Sequence, residues 1–116
     1  MFELTVESSF SGAHQLLKSK SPCENLHGHN WRVQLTVRGK EQDPEVGWVI
    51  DFKVLKDVLN TELKKYDHTF LNEVLKVSPT AENLAKLIYQ DLKKQVPVYK
   101  VTVWETEKSS VSYFEE

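Results

Sequence analysis

The chain is short of several things, and each shortage excludes a class. One cysteine among 116 residues cannot close an internal disulfide, so a reducing, cytoplasmic setting is expected. Four glycines and four prolines exclude a collagen-like or low-complexity chain. No apolar run approaches the ~18–20 residues of a membrane span, and Met1-Phe2-Glu3-Leu4 lacks a basic-then-apolar signal pattern. No block of five like charges occurs and the net charge is −2, so a nucleic-acid or polyanion-coating role has no support. What is present, 40% apolar and 28% charged residues, is the composition of one globular domain spanning residues 1–116.

Two segments alternate with period two. Phe2, Leu4 and Val6 face one way and Glu3, Thr5 and Glu7 the other, with a continuation through Phe10 toward His14. His29, Trp31, Val33, Leu35 and Val37 form the apolar face of a longer strand whose other face is polar. Helical spacing follows: Asp51 is placed to cap a helix carrying Phe52, Leu55, Leu59, Leu63 and Tyr66. Ser78 or Thr80 caps a second helix, with Ala81, Leu84, Ala85, Ile88 and Leu92 on one stripe and Pro79 in its first turn. Lys100–Glu107 and Val111–Phe114 read as two further strands. The order ββααββ predicts an α+β fold: a four-stranded antiparallel sheet with two helices on one face. The other face is left without cover, a role that a partner subunit often fills.

All four histidines fall where they bear on chemistry. His27 and His29 are two apart on a strand and share a face, so they can bite one cation, with Gly28 leaving room between them. Such a pair is also met as two ordinary surface or core histidines. His14, at the end of the neighbouring strand, would complete a three-nitrogen site with one position open to water or substrate. Cys23 enters the His27 turn among polar neighbours; it is a candidate thiolate, a fourth ligand, or an inert buried thiol. Asp67 beside His68 fits a Cys–His–Asp arrangement that tunes a thiol, or a helix-end histidine facing the helix dipole. Glu105 shares a face with Val101 and Val103, where a carboxylate needs a partner such as the paired N–H groups of a pterin or guanine edge; otherwise it is a strand-end glutamate reaching water.

Together these residues resemble the 6-pyruvoyl-tetrahydropterin synthase family, which includes the 6-carboxy-tetrahydropterin synthases. Phe10-Ser11-Gly12-Ala13-His14 is similar to its first zinc motif, and Cys23-x-x-x-His27-Gly28-His29 to its catalytic cysteine and remaining ligands. Asp67-His68-x-x-Leu71-Asn72, Pro79-Thr80-Ala81-Glu82-Asn83 and Trp104-Glu105-Thr106 match its later motifs, so the likeness spans nearly the whole chain. The resemblance implies the tunnelling fold, with sheets joined edge to edge into trimeric barrels, two barrels stacked as a homohexamer, and sites between subunits. It implies Zn2+ on His14, His27 and His29. Cys23 would accept or donate a proton, Asp67 and His68 relay it, and Glu105, with Thr106 beside it, hold the pterin ring.

The implied substrate is 7,8-dihydroneopterin triphosphate. The three residues between Cys23 and His27 resemble the carboxy branch, whose products are 6-carboxy-5,6,7,8-tetrahydropterin, acetaldehyde and triphosphate, on the route to queuosine. The pyruvoyl branch has a longer gap. Glu24 departs from the simple pattern. Glu24-x-x-His27-Gly28-His29 resembles a folate-branch subgroup that forms 6-hydroxymethyl-7,8-dihydropterin, and chains with both residues look like a dual type. Glu24 would then meet the substrate; the bland alternative is an exposed loop carboxylate. Lys18 and Lys20 are triphosphate candidates by charge alone. A non-catalytic zinc- or pterin-binding module is the reading from another class, and the full set Cys23, Asp67, His68 and Glu105 speaks against it.

Overall fold

The computed structural model describes residues 1–16 and 25–116; Cys23, Glu24, Lys18 and Lys20 lie outside the described residues. The two alternating segments form long strands, β1 (Phe2–His14) and β2 (His27–Gly39). They pair antiparallel from Phe2 opposite Gly39 to His14 opposite His27. β4 (Val98–Thr106) pairs antiparallel with β2, and β5 (Ser109–Phe114) with β4.

The expected helices are α1 (Phe52–Leu63) and α3 (Ala81–Leu92). Asp51 caps α1 by accepting the Lys53 N–H, and Thr80 caps α3 by accepting the Asn83 N–H. Pro79 therefore precedes the cap instead of opening the first turn. α1 ends at Leu63, and Tyr66 reaches the core from the turn beyond it. Leu55, Leu59, Leu84, Ile88 and Leu92 are fully buried against Trp31, Val33, Leu35, Val101 and Val103 of the sheet. Each such side chain contributes roughly 1.5–3 kcal/mol by leaving water.

Two elements correct the four-strand, two-helix expectation. β3 (Thr69–Phe70) runs parallel to Gly12–Ala13 at the edge of β1, and α2 (Leu71–Val74) follows it directly. The sheet therefore has five strands in the order β3-β1-β2-β4-β5. Two and four residues are too few to show a period.

The uncovered face of the sheet is polar and paired with itself. Arg38 bonds Glu3 at 2.7 Å and lies over the Tyr99 ring. Arg32 pairs with Glu7 at 3.3 Å and lies over Trp104, and Gln34 also donates to Glu7. This face can stand in water without an apolar cover. No helix is long and apolar enough to cross a membrane among the described residues.

Candidate functional site

The β1–β2 register assembles the site. Pairing His14 with His27 and Gly12 with His29 brings three imidazoles to one end of the sheet, on the face that the helices cover. His14 is fully buried, edge-on to Trp31, whose Nε1–H donates to the Gly12 carbonyl at 3.1 Å. β4 supplies the fourth group. Its pairing with β5 shifts register between Trp104 and Thr106, so Glu105 sits at a bulge. Bulges re-aim side chains. Here the carboxylate Oε1 lies 3.2 Å from His14 Nε2 and 3.1 Å from His29 Nε2. One ligand atom from each of His14, His27, His29 and Glu105 fits within a 4.8 Å cluster.

Backbone carbonyls decide which nitrogens face the centre. His14 Nδ1 donates to the Pro79 carbonyl at 2.7 Å, and His27 Nδ1 to the Asn25 carbonyl at 2.6 Å. A carbonyl only accepts, so both Nδ1 atoms carry the proton and both Nε2 atoms present lone pairs. These lone pairs meet at 2.9 Å. His29 Nε2 is buried with no hydrogen-bond partner in satisfactory geometry. Burial first of all, against the opposing pull of Glu105, lowers the His29 pKa from the ordinary histidine value and so favours the neutral ring. A cage of facing acceptor atoms repels itself unless a cation lies among them. The donor set, three neutral imidazoles and one carboxylate oxygen, suits zinc and related divalent metals.

Asp67 and His68 form a second unit. Asp67 Oδ2 holds His68 Nδ1 at 2.9 Å, and its Oδ1 accepts the Ser11 N–H at 2.9 Å. The Ser11 hydrogen bond, and then the histidine, keep the Asp67 carboxyl below its usual pKa. His68 has φ of +56°, a conformation most side chains avoid, and its own N–H donates to the Ser11 carbonyl at 2.6 Å. With Nδ1 held, Nε2 points outward on a ring that is 83% exposed. His68 and His29 both line a shallow cleft of about 460 Å3, floored by Ser11, Ala13 and Gly28. A Cβ on Gly28 would meet only the Gly12 carbonyl oxygen at 4.0 Å, so that side is open.

Of the nine expected site residues, His14, His27, His29 and Glu105 come together, and Asp67 pairs with His68 across the cleft. Thr106 follows the bulge and its hydroxyl accepts the Lys108 N–H. Cys23 and Glu24 lie outside the described residues. The carbonyls of Pro79 and Asn25 carry no signal in sequence, because every residue has a carbonyl and only the fold aims it.

Fold and site together define a small α+β protein built around a nitrogen-rich cluster that could hold a metal ion. The profile described as 6-pyruvoyl tetrahydropterin synthase matches residues 3–116, and the chain belongs to that family. It is similar to the 6-carboxy-5,6,7,8-tetrahydropterin synthase of Synechocystis, 40% identical over a 121-residue alignment covering 98% of this chain and 94% of the relative. It is similar also to the dihydroneopterin monophosphate aldolase of Pyrococcus furiosus, 32% identical with 84% of each chain covered. Among solved structures, the 6-pyruvoyl tetrahydropterin synthase of Caenorhabditis elegans superposes with a TM-score of 0.85 at 31% identity, covering 100% of this chain and 98% of that one. The fold is the tunnelling fold of this family, and the enzyme is of its lyase type.

Proposed function

We propose that the protein converts 7,8-dihydroneopterin triphosphate to 6-carboxy-5,6,7,8-tetrahydropterin, acetaldehyde and triphosphate, with zinc held by His14, His27 and His29. The observation that carries this reading is the cage of facing acceptor atoms at the end of a tunnelling-fold sheet. The 40% identical Synechocystis relative and the three-residue gap between Cys23 and His27 favour the carboxy branch. Zinc there would act as a Lewis acid on the oxygens of the substrate side chain.

The chain's own residues do the rest. Glu105 keeps Oε1 against His14 and His29, and its carboxylate, 28% exposed, would turn to the N–H and amino edge of the pterin when substrate binds, with Thr106 beside it. Cys23 takes a proton from the substrate side chain. Asp67 fixes His68 with Nδ1 protonated, so its outward Nε2 accepts or returns a proton. The site lies between subunits of a cytoplasmic homohexamer, and the exposed His68 ring faces that junction. The product leads toward queuosine.

Glu24 favours a second reading, folate-branch formation of 6-hydroxymethyl-7,8-dihydropterin, and the Pyrococcus relative is named an aldolase. Two variants separate the readings. In the carboxy branch Cys23→Ala abolishes turnover and Glu24→Ala leaves it; the reverse pattern moves the function to the folate branch. Chelation of the metal should stop either reaction. Full activity in a protein shown by elemental analysis to be metal-free contradicts both.

A further inference from the structure

The segment from Asp67 to Asn72 lies along the end of β1 and is bonded to it throughout. Asp67 accepts the Ser11 N–H and His68 donates to the Ser11 carbonyl. Thr69 and Phe70 then pair in parallel with Gly12 and Ala13. At Leu71 the backbone coils into α2, and the ladder stops just short of His14. Asn72 resumes it with its side chain. Its Oδ1 accepts the Gln15 N–H at 2.8 Å, and its Nδ2 donates to the Gln15 carbonyl at 2.8 Å. A primary amide offers the same donor and acceptor as a peptide group, so it can stand in for a strand residue. The residue directly after the buried ligand is thereby gripped on both its polar groups.

We infer that Asn72 is a positioning residue, which holds His14 at a set distance from His68 by clamping Gln15. The inference rests on the proposal above that these two histidines serve one substrate. His14 has little slack. Its ring is fixed at Nδ1 by Pro79, while its Nε2 stands 2.9 Å from that of His27 and 3.2 Å from Glu105. A backbone shift at Gln15 turns the ring out of the cage or pulls on the Pro79 bond. At the other end of the same six residues stands the Asp67–His68 pair, so the clamp spaces proton relay and ligand together. Only asparagine meets this need without movement. Aspartate lacks the donor and would face the Gln15 carbonyl with a negative oxygen. Glutamine has both groups but is one methylene longer.

The test compares Asn72→Asp and Asn72→Gln with the wild-type full chain. Zinc affinity is read by chelator competition, ligand geometry by the visible absorption of the cobalt-loaded protein, and kcat and KM separately. The expected result is a cobalt spectrum altered in both variants and zinc bound roughly ten-fold or more weakly, the usual scale for groups supporting a ligand. A fall in kcat larger than any rise in KM should accompany it. Asn72→Gln keeps the chemistry and displaces only geometry, so it serves if Asn72→Asp does not fold. Wild-type zinc affinity and an unchanged cobalt spectrum in a folded variant would overturn the inference. Absence of pterin turnover in the zinc-loaded wild type would count against the proposed function, while the zinc and cobalt readings would still judge Asn72.

Discussion

At the scale of single residues, hydrogen bonds to backbone and burial prepare three imidazoles for the proposed metal. His14 and His27 give their Nδ1 protons to carbonyls, and His29 is kept neutral by burial. His27→Ala should therefore lose zinc and keep the fold, because His27 is only partly buried. His14→Ala should lose zinc and also stability, by about 2–3 kcal/mol, from a cavity and an unpartnered Pro79 carbonyl. Elemental analysis and urea melts distinguish the two; equal stability losses would contradict the assignment. In the proposed relay Asp67 acts through its charge on His68. Asp67→Asn can keep the Ser11 bond but cannot stabilise a protonated His68, so turnover should fall roughly 10²- to 10⁴-fold with an unchanged melt. Near-normal turnover would remove His68 from the proton path.

At the scale of elements, α1 and α3 meet over a buried carboxylate. Glu62 is 3% exposed; it takes the Lys65 ammonium at 2.8 Å and the Tyr66 hydroxyl at 3.3 Å, and Lys65 also binds Asp91 of α3. Burial above all pushes the Glu62 pKa up from 4.5, and burial likewise raises that of Tyr66. A carboxyl raised in the folded state favours folding fully below its unfolded pKa, and that contribution is lost as pH rises through the folded value. Wild-type stability should thus decline relative to Glu62→Gln as pH rises from about 4.5 toward neutrality. Urea melts across that range check this; parallel curves would contradict it. The longer elements were legible because their apolar positions repeat, as in Leu55, Leu59 and Leu63 or Val33, Leu35 and Val37. β3 and α2 were not, being shorter than one period. The place of His14 at a strand end was legible because its strand alternates up to it. The turn of Glu105 into the cage was legible only in part, since the Val101–Val103–Glu105 alternation gives its face but the bulge gives its aim.

At the scale of the whole molecule, one sheet face is covered by helices and the other carries paired charges, while β5 ends the sheet and most of β1 borders no strand on its outer side among the described residues. Phe2, Trp48 and Phe52 are exposed near that edge, where apolar groups gain from a neighbour. Light scattering on the purified chain should give the mass of six copies; a monomer at micromolar concentration would contradict the edge-to-edge barrel. Zinc-loaded protein, its metal content verified, should be incubated with 7,8-dihydroneopterin triphosphate and the products resolved by mass spectrometry. The proposed function requires 6-carboxy-5,6,7,8-tetrahydropterin together with acetaldehyde. Unconverted substrate would contradict it, and 6-hydroxymethyl-7,8-dihydropterin as the main product would transfer the central role from Cys23 to Glu24.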